Sequence, residues 1–332
     1  MRTSTIRPAG PVVTGAAVVA ALTLSACTTA RADRTTPDPA PVTATASAPE
    51  APPVTAQELA LLAAAEDALV RECAADHGVH LPQPAAASGP ERAADPADVR
   101  AFPFVVDSPG WAAEHGYGSD LDAEREGART SDPTRTYLQS LPAGRRTAAL
   151  DVLNGGPDDP ALRAKLPVGT SIGRSATSCT SRAQDALYGD AAQWFQASAA
   201  TGNLEPLWTG RVLADQRYAD AVGPWSDCMS RRGHDVATPR DARQAAYGTP
   251  DESATASDEA ACATTTGLAA VVADLTTEHE SRVCQEFRAD VESRRALEHA
   301  ALGRAREITA ELTPEQIAAG ARTRGAPPCE ES

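Results

Sequence analysis

The sequence has few aromatic residues and almost no lysine. Phe, Trp and Tyr together make up 4% of its 332 residues, and Lys165 is the single lysine. The formal net charge is −15, which argues against nucleic acid or anionic lipid headgroups as partners of the folded body. No phosphate-binding loop, dinucleotide fingerprint or EF-hand loop occurs. The chain therefore carries no motif that specifies a reaction or a ligand.

Closely spaced cysteines are also absent. No two of the seven cysteines lie closer than the 22 positions between Cys262 and Cys284, whereas zinc sites favour pairs two to four residues apart. A catalytic thiol needs a lowered pKa and a partner base, and nothing local distinguishes one cysteine from the others. We therefore predict no metal and no cofactor.

The N-terminus has the pattern of an export signal. Arg2 and Arg7 precede an uncharged apolar run, PVVTGAAVVAALTL, that is too short for a comfortable membrane span. The run leads into Leu-Ser-Ala-Cys, ending at Cys27, which resembles the lipobox of bacterial lipoproteins. The alternative is an uncleaved anchor, or an ordinary signal peptide with an incidental cysteine.

The lipobox resemblance implies a location. It implies a signal peptide over residues 1–26, cleavage before Cys27, and acyl chains, palmitate among them, on the new N-terminus. Two or three buried acyl chains hold a protein firmly, because each methylene contributes about 0.8 kcal/mol. The expected site is the extracytoplasmic face of the cell membrane, with the membrane as a partner through the lipid anchor.

Residues 27–54 are predicted to be the lipidated cysteine followed by a disordered tether. The segment consists largely of Thr, Ala and Pro and has hardly a large apolar side chain. Such a composition cannot bury enough surface to offset the entropy of ordering. The tether would span on the order of 30 Å as a coil and roughly 80 Å in a polyproline conformation.

Two blocks place a cysteine five residues before a glycine. They are CAADHG, with Cys73 and Gly78, and CMSRRG, with Cys228 and Gly233. Glycine suits the left-handed position that ends many helices, so each of these cysteines is expected in the last turn of a helix.

The six cysteines beyond Cys27 are predicted to form disulfides, because an even number in an exported chain is typical of a disulfide framework. Cys179 and Cys262 are expected near the starts of helices, where each can meet a cysteine at the end of a neighbouring helix. We favour the pairs Cys73–Cys179, Cys228–Cys262 and Cys284–Cys329. An alternative with Cys179–Cys228 and Cys73–Cys262 also joins helix ends to helix starts.

Several segments resemble those of a known group of proteins. WSDCMSRRGHDV, SCTSRAQDALYG and EAACATTTGL, with Y.Q.L before AL.VLNG, are similar to a group of secreted actinobacterial lipoproteins of unknown function, over most of residues 58–300. The resemblance implies an α-rich envelope protein with no known activity. The first cysteine block departs from the second, with Ala74 where the second has Met229.

The predicted body, residues 55–332, is mainly α. Its clearest helix covers 55–76, where Thr55 and Glu58 form a capping box. Leu59, Leu62, Leu69 and Cys73 fall within an arc of about 80° at 100° per residue, so Cys73 is expected on the buried face.

The middle of the chain is predicted to be more irregular. Residues 82–110 are interpreted as a loop and 111–118 as an irregular aromatic segment. Two short helices follow, split by Pro142 and ended by Gly155. Residues 164–177 alternate small apolar and polar side chains around two glycines, which favours a short β-hairpin.

The remainder is predicted to be helical, with breaks at Gly189, Gly202 and Pro206. Pro224 should kink or restart the next helix. Residues 249–262 are interpreted as a loop with capping residues. The residues from 268 to about 308 are expected to form one helix of about 40 residues or two stacked pieces. The fold class is therefore a disulfide-stapled helical body with one short hairpin.

Two features of the sequence could indicate catalysis or metal binding: the GTSIG pattern and the pair of histidines at 279 and 299. Residues 169–173, GTSIG, match the nucleophile-elbow pattern at Ser171, but Pro167 and the lack of a Val/Ile-rich strand favour a hairpin. His279 and His299 lie about 200° apart if they share one helix, so they cannot converge on a metal. His279 shares an arc with apolar residues and is predicted to lie in or beside the core.

His77, His234 and Asp235 are the better candidates for a site, because they adjoin the two cysteine blocks. An adjacent His-Asp pair can serve proton transfer or metal binding, although residues at helix ends more often cap turns.

We expect an interaction or structural protein of the cell envelope, without intrinsic catalysis and with an envelope protein as partner. One alternative is an extracytoplasmic module that binds a small ligand or a cell-wall fragment, and a second is a secreted hydrolase. The usual two-lobed solute receptor is not supported, because runs typical of parallel strands are missing.

Overall fold

The computed structural model describes residues 52–83, 104–321 and 329. Cys27, the predicted signal peptide and most of the predicted tether lie outside the described residues. The described part is mainly α-helical with one antiparallel hairpin, which confirms the predicted fold class. Its elements are α1 Ala56–Asp76, α2 Pro109–His115, α3 Ser119–Thr130, α4 Pro133–Ser140, α5 Ala143–Asn154, β1 Ala161–Lys165, β2 Ser171–Ser175, α6 Cys179–Tyr188, α7 Ala191–Thr201, α8 Glu205–Ala214, α9 Gln216–Arg231, α10 Pro239–Ala246, α11 Glu252–Thr266, α12 Leu268–Glu286, α13 Arg288–Ile308 and α14 Pro314–Ala321.

Helix α1 begins at the predicted capping box. The Glu58 amide donates to the Thr55 hydroxyl at 3.2 Å, and the Thr55 amide donates to the Glu58 carboxylate at 2.9 Å. The helix packs against α6, α13 and α14, and Leu62 is fully buried between them. Cys73, near its end, is only partly buried.

The apolar core falls into neighbouring clusters. The largest surrounds Trp225 of α9, which is fully buried, and includes Phe104, Tyr117 and Leu275. A second cluster joins α1, α6, α7 and α13. Burial of such side chains, at about 25 cal/mol per Å² of apolar surface, is the main stabilising term in a fold with few aromatics.

A regular helix, α2, covers most of the segment at 111–118 that was predicted to be irregular, and α3 follows directly after it. Helix α2 begins with Pro109 after the Ser108 cap, and α3 begins at Ser119. The glycines that favoured an irregular interpretation lie between the two helices. Gly116 has φ 61° and Gly118 has φ 89°, so they provide the sharp turn from α2 to α3.

The prediction of a loop at 249–262 is wrong, because α11 covers most of these residues. The polar composition suggested a loop, yet Glu252 and Glu259 are buried and accept hydrogen bonds from the segment before α3. Ala256 and Ala260 complete the buried face. Tertiary contacts therefore stabilise a helix that the local sequence does not predict.

Two further helix boundaries were settled by the structure. Helix α9 runs through Pro224 without restarting. The residues from 268 onward form two helices that meet at Phe287.

Among the described residues no single helix is long and apolar enough to cross a membrane. Helices α11 and α12 together reach that length and composition, but they meet at an angle of 81°.

The hairpin occurs where the sequence predicted it and begins slightly earlier. Strands β1 and β2 pair in antiparallel register, from Ala161 opposite Ser175 to Lys165 opposite Ser171. β1 packs on α7, so the hairpin lies on the surface of the helical body.

Candidate functional site

The three favoured disulfides are present. Their Cα atoms lie 5.6–5.7 Å apart, within the usual range for such bonds. The alternative pairing is therefore excluded. One premise behind the favoured pairing was wrong: Cys262 lies late in α11 rather than in a first turn. The bonds are Cys73–Cys179, Cys228–Cys262 and Cys284–Cys329.

The first Cys-x4-Gly block ends α1 in a Schellman motif. Gly78 has φ 75°, and its amide donates to the Ala75 carbonyl at 2.8 Å. The Val79 amide reaches back to the Ala74 carbonyl at 2.8 Å. The glycine thus supplies the left-handed residue that closes the helix.

The second block ends α9 in the same way. Gly233 has φ 95°, and the His234 amide donates to the Met229 carbonyl at 3.0 Å. Met229 and its counterpart Ala74 are both fully buried, so this position differs in size but not in environment. In both blocks, therefore, the glycine ends the helix and the cysteine beside it links the helix to a neighbour.

His77 belongs to this helix end. Its Nδ1 donates to the carbonyl of Cys73 at 2.8 Å, and the side chain is exposed. The ligand atoms of Cys73, Cys179 and His77 lie within 4.8 Å of one another, a spacing that suits a metal ion. Metal binding requires thiolates, however, and here the two sulfurs are joined to each other. In the disulfide-bonded protein His77 acts as a cap.

His234 pairs with Asp258 of α11, not with the adjacent Asp235. Its Nε2 lies 2.9 Å from an Asp258 oxygen, and Arg232 contacts the other oxygen. Burial raises the pKa of Asp258, but the bonds from His234 and Arg232 outweigh it and leave the pKa below its ordinary value. Asp235 is exposed. The cluster ties the end of α9 to α11 close to the Cys228–Cys262 bond.

Ser171 opens strand β2 and is exposed. It follows the hairpin turn rather than a buried strand, and β2 continues after it where an elbow would begin a helix. Its position therefore lacks the geometry that activates a serine nucleophile.

His279 is a buried residue, as the sequence predicted, with 7% of its surface exposed. Its Nε2 lies 3.3 Å from an oxygen of Asp215, the residue that caps α9. Bonds from Arg217 and from His279 hold the pKa of Asp215 well below its ordinary range. His299 lies on a different helix, α13, and its ring contacts the carbonyl of Pro52 at 2.6 Å.

The sequence analysis missed a buried carboxylate pair on α11. Glu259 is 1% exposed and accepts hydrogen bonds from the Tyr117 hydroxyl at 2.7 Å and the Val106 amide at 2.8 Å. Glu252, one heptad earlier, accepts from the amides of Tyr117 and Gly248 at 2.8 Å and 2.7 Å. The spacing of seven puts both on one helix face, which was the available signal.

Burial shifts the pKa of Glu259 and that of Tyr117. Burial raises the pKa of Glu259 to about 7, against the lowering effect of its bonds from Tyr117 and Val106. Burial and the neighbouring carboxylate also raise the pKa of Tyr117. Since Glu259 is almost entirely enclosed, its chemistry is that of an internal anchor for the segment that contains Tyr117, not of a base exposed to substrate.

The candidates are not brought together. Ser171, His77 and His234 lie on different elements and contact different partners. No protein-family model, no curated protein and no solved structure matches this chain.

Proposed function

We propose that the protein is a lipid-anchored component of the cell envelope that acts by binding a partner protein, without catalysis of its own. The Leu-Ser-Ala-Cys sequence at Cys27 supports the anchor. Six cysteines in three disulfides suit an oxidising compartment outside the cytoplasm.

The proposal rests on one observation: the histidines singled out by the sequence, and the buried Glu259, make contacts within the fold. His77 contacts the end of its own helix, and His234 and His279 each contact an aspartate. Glu259 is enclosed. These groups contribute to the fold rather than converging on an open cleft. A rigid body held by disulfides at the end of a long tether suits recognition of another protein.

The anchor is tested by Cys27→Ala, with Ser25→Ala as a matched control that keeps a small side chain before the cysteine. Cys27→Ala should release the protein from the membrane fraction or leave the precursor uncleaved. The control should remain membrane-bound. A correctly cleaved Cys27→Ala protein that stays in the membrane would contradict the proposal.

The interaction is tested by chemical crosslinking in intact membranes, followed by mass spectrometry of the crosslinked peptides. We expect crosslinks between the folded body and one or a few envelope proteins, lost when the body is unfolded by reduction. Turnover of ester, amide or glycan substrates by the purified mature protein, abolished by Ser171→Ala or His234→Ala without loss of stability, would identify an enzyme instead.

A further inference from the structure

The hairpin has one open edge, and its hydrogen-bond pattern identifies which groups face outward. The Leu166 amide donates to the Thr170 carbonyl at 2.8 Å, and the Ala176 amide donates to the Pro160 carbonyl at 2.6 Å. In an antiparallel pair the bonded residues alternate with unbonded ones. The even-numbered residues therefore exchange the bonds between β1 and β2, and the amides and carbonyls of the odd-numbered residues of β2 point away from β1.

On β2 these outward residues are Ser171, Gly173 and Ser175. The carbonyl of Ser175 is occupied, since it accepts from the hydroxyls of Ser178 and Ser181 at 3.3 Å and 2.6 Å. Within the described part of the chain, no third strand pairs with β2. Residues 168–173 are continuously exposed. The backbone of Ser171 and Gly173 thus offers two donors and two acceptors along an accessible edge.

The opposite edge of the hairpin is partly covered, by α7 and by a side chain that bonds to Lys165. The Lys165 amide donates to the side-chain oxygen of Gln196 at 2.8 Å, and the Gln196 amide nitrogen donates back to the Lys165 carbonyl at 3.2 Å. Gln196 also donates to Asp290 at 3.2 Å, which fixes its orientation. The Gln196 side chain therefore satisfies the outward groups of Lys165, and β1 also packs on α7. Within the described residues, β2 is thus the more open strand edge of the hairpin, of the kind that pairs with other chains.

The side chains around this edge favour one class of occupant. Cross-strand partners share a face, so the exposed Arg163 and Lys165 lie opposite Gly173 and Ser171. Because those two partners are small, the long basic side chains can extend over β2 toward a strand added beside it. At the turn Val168 is 63% exposed, which offers an apolar contact as well.

We infer that the β2 edge binds an extended, acidic segment of a partner protein by β-strand addition. Main-chain hydrogen bonds to Ser171 and Gly173 supply affinity, and the charges of Arg163 and Lys165 select acidic over basic sequences. A second copy of this chain is the less suitable occupant, because edge-to-edge pairing would bring two copies of the same basic pair together. The inference deepens the proposed interaction function and rests on it.

The test uses two blocked hexapeptides as probes, one of alternating Glu and Val and one of alternating Lys and Val. Hydrogen exchange is followed by mass spectrometry on the mature full-length protein with each peptide at millimolar concentration. The Glu-Val peptide should slow exchange in the fragment covering 168–175, and the Lys-Val peptide should not. Equal protection by both, protection elsewhere only, no protection, or self-association without peptide would overturn the inference.

Variants at Ser171 test whether the peptide binds to the backbone of β2. Ser171→Pro removes an outward amide, at a strand start where proline is tolerated, and leaves the bonds between β1 and β2 in place. It should weaken Glu-Val binding about tenfold, while Ser171→Ala, which keeps the amide, should bind within about twofold of wild type. Loss of binding in Ser171→Ala would mean a side-chain site and would overturn the inference.

A second variant reverses the charges of the two basic side chains on β1 and leaves the sequence of β2 unchanged. Arg163→Glu with Lys165→Glu should exchange the preference, so that the Lys-Val peptide protects 168–175 and the Glu-Val peptide does not. An unchanged preference would contradict the role of the basic pair. Membrane crosslinks to a partner that map only to surfaces away from the hairpin would overturn this inference and leave the interaction function standing.

Discussion

The hydroxyl of Tyr117 donates a 2.7 Å hydrogen bond to Glu259, and both side chains are buried. The backbone amide of the same tyrosine donates to Glu252. One residue therefore connects the turn between α2 and α3 to both buried carboxylates of α11. An unsatisfied buried polar group costs about 1–3 kcal/mol. Removal of either partner should therefore lower the free energy of unfolding by about this amount.

Glu259→Gln should change how stability depends on pH. The folded protein raises the pKa of Glu259 from 4.5 to about 7, so between these values the native state binds more protons than the unfolded chain. The free energy of unfolding from this group therefore falls as pH rises from about 4.5 to about 7, by on the order of 3 kcal/mol. Glutamine is nearly isosteric, with a carbonyl acceptor and an NH2 donor group, and it does not ionise, so the variant should lack this decline.

The measurement is denaturant unfolding of both proteins at pH 5, 6, 7 and 8. Glu124→Gln, at an exposed position on α3, serves as the control and should keep the wild-type slope. Tyr117→Phe should lower stability by about 1–3 kcal/mol at every pH, since it leaves a Glu259 oxygen unpaired. An identical slope in Glu259→Gln and wild type would contradict the raised pKa.

Gly155→Ala should be far more damaging than Gly189→Ala. Both glycines end helices with positive φ, but Gly189 is in the left-handed helical region (φ 85°, ψ −14°), whereas Gly155 (φ 86°, ψ 161°) is in a region that almost only glycine adopts. A Cβ at Gly155 would lie only 2.0 Å from the Cβ of Ser175, whereas a Cβ at Gly189 meets nothing within 4 Å. The Gly189 variant should cost about 1 kcal/mol through its backbone conformation alone, and the Gly155 variant several times more. Thermal unfolding of the two variants would measure the difference, and equal melting temperatures would contradict it.

The Cys228–Cys262 bond should contribute strongly to stability. It closes a loop of 34 positions, and replacement of both cysteines by alanine should lower the free energy of unfolding by roughly 2–5 kcal/mol. Non-reducing mass spectrometry of the mature protein should detect no free thiol among the six cysteines. Two or more free thiols in the folded protein, or a Cys73–Cys262 peptide, would disprove the assigned bonds.

His234→Ala should have a small effect on stability, because exposed or half-exposed ion pairs contribute at most about 1 kcal/mol. Its pairing with Asp258 is partly open to solvent, and the nearby disulfide holds the same two helices. Denaturant midpoints of His234→Ala and Asp258→Asn provide the measurement. If His234→Ala abolished a cellular phenotype while its midpoint stayed unchanged, the pair would have a direct functional role.

Features defined by local residue patterns were predictable. The capping box at Thr55, the helix end at Gly78 and the hairpin around Gly169 each depend on residues within a few positions of one another. These features depend on short-range backbone preferences and hydrogen bonds, so the local sequence contained the information needed to predict them. The same holds for Cys-x4-Gly as a helix end, and for His279 as a residue on an apolar arc.

Features that depend on distant contacts were not predictable. Helix α11 looked like a loop because residues 249–262 are rich in Thr, Ser and Asp, which favour turns and caps. Its glutamates can be buried against the core only because the segment around Tyr117 supplies donors from about 140 positions away. His234 pairs with Asp258 of α11 rather than with the adjacent Asp235. The choice between two disulfide patterns required knowing which helices are neighbours. The sequence by itself determined those helix ends that depend on neighbouring residues, such as the start and end of α1. Only the tertiary structure decided that residues 252–266 form a helix and which polar groups meet, because both depend on how segments far apart in sequence pack together.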